Sequence, residues 1–241
     1  MSGSRLYRIG QIVPSSNTTM ETEIPAILRA RENSEPERFT FHSSRMRMKK
    51  VTKEELAAMD GDSDRCALEL SDARVDVLGY ACLVAIMSMG RGYHRVSEER
   101  LHGRTAENGA PAPVVTSAGA LVEGLQAVGA KKISILAPYM KPLTQLENPK
   151  VFYLTFDNVE VGRQDPLAPA EITKRLKTAG VDAIIASACV QMPSLPSIQP
   201  IEDRVGLPVI SSSVATTYVM LKRLGLSTAV PGFGSLLSGA Y

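Results

Sequence analysis

The chain has 241 residues, 44% hydrophobic and 22% charged, with a net charge of +2. That balance suits a globular protein and is too weakly basic to argue for a nucleic-acid partner, and with no Trp and few aromatic residues a stacking platform for single strands is excluded as well. No apolar run reaches membrane-spanning length and residues 1–8 lack the apolar core of a signal peptide, so no membrane contact and a cytoplasmic location are expected.

Residues 8–14 read as a first strand. The turn Pro14-Ser15-Ser16-Asn17-Thr18-Thr19-Met20-Glu21 follows and leads into a helix that runs through Arg31. Ser15, Ser16, Asn17 and Thr18 are all N-cap residue types. Backbone N–H groups at a helix start attract anions, so the same turn can receive a carboxylate. Residues 38–48 alternate as a second strand. The basic residues at its exit, Arg45, Arg47, Lys49 and Lys50, fit a solvated edge better than a nucleic-acid patch. His42 stands alone and reads as structural. Residues 53–73 are helical, and Cys66, beside Ala67 and Leu68, packs in the core.

Val75-Asp76-Val77-Leu78-Gly79-Tyr80-Ala81-Cys82 is apolar on both faces, as a buried parallel strand must be. It delivers Cys82 at its carboxyl end, where open α/β sheets bind their ligands. Residues 83–89 are an apolar loop able to close over a small ligand, or the start of a buried helix. Leu83 and Val84 stand nearest the cysteine. Gly90-Arg91-Gly92 is too short for a dinucleotide fingerprint. A helix over 95–108, a short strand over 113–117 and a helix over 118–128 complete this half.

The pattern then restarts. Residues 132–139 resemble 8–15, including a proline at the strand exit. Val181-Asp182-Ala183-Ile184-Ile185-Ala186-Ser187-Ala188-Cys189 resembles the Cys82 strand, and 207–212 resemble 112–117. A helix over 213–224 and a glycine-rich tail end the chain. The expected fold class is α/β: two similar lobes, each a short parallel sheet flanked by helices, related by an internal duplication. Residues 1–116 plus 213–241 form the first lobe and 117–212 the second. Cys82 and Cys189 then face one another across a cleft, with Val190 beside the second. Three widely spaced cysteines suit neither a disulfide framework nor a metal site, so free thiols, a reducing compartment and no metal are expected.

Gln11 to Glu21, Leu78-Gly79-Tyr80-Ala81-Cys82-Leu83-Val84, Ala137-Pro138-Tyr139-Met140-Lys141-Pro142, Ser187-Ala188-Cys189-Val190-Gln191-Met192 and Leu236-Leu237-Ser238-Gly239-Ala240-Tyr241 resemble the maleate cis–trans isomerases of the aspartate/glutamate racemase superfamily. The resemblance spans nearly the whole chain. It implies an active site between the lobes, no cofactor, a small dicarboxylate substrate and a homodimer. It implies Cys82 as nucleophile and Cys189 as acid/base partner, with Asn17, Tyr139 and Asn158 holding the substrate carboxylates. Ser15, Leu83, Val84 and Val190 are expected to complete the substrate site. Between Leu146 and Asn158 the family carries a longer stretch, a helix and a strand, whereas residues 147–157 have room for one strand.

Thiolate addition turns a carbon–carbon double bond into a single bond that can rotate, and it needs no cofactor. Helix N-termini and backbone amides at the strand ends are expected to lower the Cys82 pKa. The same two thiols would serve a racemase of an acidic amino acid, with a proton removed on one face and returned on the other. A non-catalytic small-acid binding protein would have no need of a thiol at both strand tips.

Overall fold

A computed structural model describes residues 5–49, 52–138, 151–153 and 158–241. The first half runs β1 (Leu6–Pro14), α1 (Met20–Arg31), β2 (Arg38–Met46), α2 (Lys53–Asp72), β3 (Val77–Tyr80), α3 (Leu83–Ser88), α4 (Tyr93–Glu107), β4 (Val114–Thr116) and α5 (Ser117–Ala127). The second runs β5 (Ile133–Ala137), β6 (Val151–Tyr153), α6 (Asn158–Gly162), α7 (Ala168–Ile172), β7 (Ala183–Ser187), α8 (Ile198–Val205), β8 (Val209–Ser211) and α9 (Ser212–Arg223).

The strands form two sheets, in the orders β2-β1-β3-β4 and β6-β5-β7-β8. All described pairings are parallel, and among the described residues the strands of a sheet are linked by crossovers through helices, as with α1 between β1 and β2 and α8 between β7 and β8. Helices on the sheet faces explain why β3 and β7 are buried along their whole length, and why both read as continuous apolar runs.

The duplication extends to single hydrogen bonds. Asp76 Oδ2 accepts from the Arg8 amide at 2.7 Å, and Asp182 Oδ2 accepts from the Lys132 amide at 2.7 Å. The Asp76 amide donates to the Arg8 carbonyl, as the Asp182 amide does to the Lys132 carbonyl. The repeated Val-Asp therefore staples the start of each central strand to its neighbour and has no part in chemistry. Thr116 caps α5 through the Gly119 amide, and Ser211 caps α9 through the Val214 amide. At the other end of each central strand the ladder lets go at the same place. The Ala81 amide reaches the Ile12 carbonyl at 3.0 Å and the Ala188 amide reaches the Leu136 carbonyl at 3.1 Å. Cys82 and Cys189 are the next residues in each case.

The two halves share one large core, with α9 packed against α1, α5 and β3. Gly79 permits that close approach: a Cβ there would overlap the Met220 Cε on α9 and press on the Met20 Cε of α1. Cys66 lies inside α2 and is fully buried, as expected of a packing residue.

One local expectation changes, and one left open is decided. The strand expected to reach Cys82 ends at Tyr80. The segment after Cys82 is the short helix α3, whose Leu83, Val84, Ala85 and Ile86 are buried. Arg45 is exposed on the edge strand β2, as expected, and from there it binds the carbonyls of Ser15 and Asn17 at 3.0 and 3.1 Å and pairs with Glu21. Within the short stretch 147–157, only β6 falls among the described residues.

Candidate active site

Both cysteines open onto one cleft. Its wall is formed by Cys82, Leu83 and Val84 from the first half and Cys189, Val190 and Gln191 from the second, together with Pro14, Asn17, Met48 and Leu56. The empty space it holds is about 360 Å³, its open mouth included. Among the described residues, no lining side chain carries a charge. Apolar walls suit a carbon skeleton, and the polar contacts come from the two thiols, two side-chain amides and backbone N–H groups.

Asn17 is buried and its side chain is divided between two tasks. Oδ1 accepts from the amides of Thr19 at 3.0 Å and Met20 at 3.1 Å, which caps the start of α1. Its Nδ2 makes no such bond among the described residues and is the donor left for a ligand. The cap reading of the turn is met by Asn17. Arg45 supports the turn from behind through the Ser15 and Asn17 carbonyls, so a cation acts on the site without entering it.

Ser15 is placed differently from the expectation. Its hydroxyl donates to the Met48 carbonyl at 3.2 Å and accepts from the Met48 amide at 3.0 Å, and it does not line the cleft. It ties the turn to the end of β2. Leu83, Val84 and Val190 line the cleft as expected. Asn158 begins α6, but its side chain lies outside the described residues, as does all of Tyr139. Sequence reasoning missed Met48, Leu56 and Gln191 as wall residues, since only the crossing of β2, α2 and the Cys189 loop over the cleft brings them there. Gln191 could have been found: it is polar, buried and two residues past Cys189.

Each sulfur rests against backbone amides of the segment it begins. Cys82 accepts from the amides of Ala85 and Val84 in α3. Cys189 Sγ accepts from the Gln191 amide at 3.3 Å, and its carbonyl receives the Ser187 hydroxyl at 2.9 Å. The amides lower the Cys82 pKa as expected, but burial outweighs them, and the neighbouring Cys189 adds repulsion. The Cys82 thiol is pushed up to about 12. Cys82 at the resting cleft is therefore a neutral thiol at pH 7, and two thiolates so close together disfavour each other.

This alters the expected basis of thiol reactivity from acidity to access. Iodoacetamide is expected to label Cys82 and Cys189 before Cys66, which no solvent reaches, and maleate should slow the labelling of the first two. The Cys82 rate should rise about tenfold per pH unit from about pH 7 to about pH 10, without a plateau near the ordinary cysteine value of about 8.5. Peptide mass spectrometry reads both; Cys66 labelled first, or a Cys82 plateau near 8.5, would refute this account.

Beneath β3 lies a buried carboxylate that no sequence pattern singled out. Asp60 on α2 accepts from the Tyr80 hydroxyl at 3.0 Å, the Tyr93 hydroxyl at 2.6 Å and Arg100 Nη2 at 2.9 Å. It joins α2, α4 and the strand tip two residues before Cys82. Asp60→Ala strands two phenols and removes the more buried of the two carboxylates paired with Arg100, and is expected to cost about 3 kcal/mol in denaturant unfolding.

No family model matches the chain. Over 99% of its length it is 61% identical to a maleate isomerase of Pseudomonas putida, and the match covers all of that protein. The chain belongs to the maleate isomerases. A crystal structure of a maleate isomerase variant from Pseudomonas putida S16, with maleate, is 60% identical and superposes with a TM-score of 0.95, covering 98% of this chain and 99% of that one. A Nocardia farcinica maleate cis–trans isomerase with one cysteine changed to serine is 42% identical, with a TM-score of 0.91 and coverage of 97% and 98%. That structure holds a covalently bound succinylcysteine intermediate. Arylmalonate decarboxylase, at 19% identity and a TM-score of 0.74, shares the fold of the maleate isomerases.

Proposed function

We propose that this protein converts maleate to fumarate without a cofactor, with Cys82 as nucleophile and Cys189 as acid/base. The observation that carries the reading is the pair of thiols, one from each half, on one cleft whose described wall carries no charge. The trapped succinylcysteine of the Nocardia relative supports it: there, one cysteine bears the adduct while another has become serine.

The steps balance in electrons and protons. The Cys82 thiolate adds to one alkene carbon, and the electron pair of the double bond moves toward the carboxylate on the other carbon. Cys189 gives its proton to that carbon, leaving a succinyl thioether on Cys82 and a thiolate at Cys189. The former double bond, now single, rotates. Cys189 takes the proton back and the C–S bond breaks, releasing the trans isomer and the Cys82 thiolate. Because the two sulfurs repel as anions, the pair carries at most one thiolate at a time, and the resting Cys82 thiol must give up its proton to solvent before it adds.

Asn17 Nδ2 and backbone amides would hold the carboxylates, aided by Tyr139 and Asn158 on the family resemblance. Leu83, Val84 and Val190 would pack against the carbon skeleton and keep water from the intermediate. Ser15 serves the site by fixing the turn. Lobes of 1–116 plus 213–241 and 117–212 would place α9 on α1 and β3 of the first lobe and against α5 of the second. A homodimer is favoured by exposed Met87, Met89, Val96 and Val122 on the mutually packed helices α3, α4 and α5. Three free cysteines fit a reducing cytoplasm. Among the described residues no helix is long and apolar enough to cross a membrane, and no cluster of His, Cys, Asp or Glu could hold a metal.

The test is direct: purified protein, dialysed against chelator, with maleate followed by ultraviolet absorbance or NMR. Fumarate formation with nothing added is expected. No fumarate from maleate, with D-aspartate formed from L-aspartate instead, would replace this reading with racemisation.

A further inference from the structure

The loop that follows Cys189 is fastened at two points to one face of the start of α1. Thr19 Oγ1 donates to the Gln191 carbonyl at 2.7 Å, across 172 residues of sequence. One turn further along the helix, the Glu23 carboxylate accepts from the amides of Ser194 at 2.5 Å and Leu195 at 2.7 Å, and from the Ser213 hydroxyl on α9. Thr19 and Glu23 are four residues apart and so lie on the same side of the helix. Both are almost fully buried, Thr19 at 4% and Glu23 at 6% exposure. Gln191 adds a third tie, its Nε2 donating to the Ser16 carbonyl at 3.3 Å.

The start of α1 is also where Asn17 caps the helix, directly after β1, to which β3 is paired. One rigid element is thus fixed to the Cys82 strand through β1 and holds the Cys189 loop by three bonds. The Ser187 hydroxyl braces that loop from inside through the carbonyls of Cys189 and Met192.

We propose that Thr19 and Glu23 are positioning residues that set where the Cys189 thiol stands relative to Cys82. Neither lines the cleft; both act through the Cys189 loop. This rests on the acid/base role assigned to Cys189 above. Glu23 is held above the usual carboxylate range by burial, against the pull of its three donors, so its contacts are made at some electrostatic cost. That cost is consistent with a placement kept for geometry.

The test compares Thr19→Val, Thr19→Ser and Glu23→Gln in the full chain. Thr19→Val removes the hydroxyl at nearly constant volume. Its kcat for maleate is expected to fall about 10²-fold, the scale for a small misplacement of a reacting group, with KM changed less than about threefold. Intact mass should show the Cys82 succinyl adduct accumulating, because its formation and its resolution no longer match. Thr19→Ser keeps the hydroxyl and should restore kcat to within about threefold of the parent. Labelling by iodoacetamide gives a readout free of turnover: Cys189 should change its rate in Thr19→Val and Glu23→Gln, while Cys82 and Cys66 keep theirs. Glu23→Gln reads the same loop from its other end should Thr19→Val not fold. Parental kcat and Cys189 labelling in both Thr19→Val and Glu23→Gln would overturn the proposal, as would a uniform rise in labelling of all three thiols, which signals loosening of the whole fold. A parent protein inert toward maleate would remove the functional reading alone, since the labelling still reports the latch.

Discussion

Cys82→Ser is expected to abolish both fumarate production and the covalent adduct. A serine hydroxyl is far less acidic than a thiol and adds poorly to an alkene, so the first bond does not form. The loss should be roughly 10⁴-fold or more, the scale on which removal of a covalent nucleophile is felt. The protein should stay folded. The change removes little volume, and the new hydroxyl can accept from the amides of Val84 and Ala85 that now face the sulfur. The measurement is intact-protein mass after mixing with maleate, beside the rate of fumarate formation. An adduct that still forms and fragments to Cys189 would exchange the roles of the two cysteines.

Cys189→Ser is expected to fall short of complete inactivation. A hydroxyl at the same place passes protons inefficiently, and general acid–base catalysis contributes roughly 10²–10⁴-fold, so kcat should drop within that range. The adduct should persist on Cys82, because the residue that must take the proton back before the C–S bond breaks is the one impaired. The trapped succinylcysteine in the Nocardia variant gives the precedent for such a species. Ser187 and Gln191 bond the loop here, and should keep the substituted hydroxyl where the thiol stood. An unslowed Cys189→Ser, together with an unslowed Cys82→Ser, would refute covalent catalysis by this pair.

Much of the site was legible in the sequence. The two central strands announced themselves because a parallel strand covered on both faces must be apolar throughout, and the cysteine at each tip followed from where such sheets bind ligands. The repeat was equally visible, though Val-Asp proved to be a backbone staple: Asp76 holds the Arg8 amide in β1 and Asp182 the Lys132 amide just before β5. The turn after β1 was readable as a cap, and Asn17 Oδ1 makes that cap. Ser15 misled, because a hydroxyl beside a helix start reads the same whether it faces a ligand or, as here, the backbone of Met48.

What the amino-acid sequence determined by itself is local and periodic: which segments are strands and helices, that the chain is duplicated, and that each half ends a buried strand in a thiol. The tertiary structure alone decided how those thiols behave and what holds them. The pKa of Cys82 depends on how much water and how many amides surround the sulfur, and burial in the shared cleft overrode the amides of α3 that were expected to lower it. The latch from Thr19 and Glu23 to the Cys189 loop, and the Asp60 cluster under β3, join side chains with no pattern between them in the sequence. A hydrogen bond between partners 172 residues apart leaves no period or spacing to read, because its geometry exists only once both sheets have formed and packed.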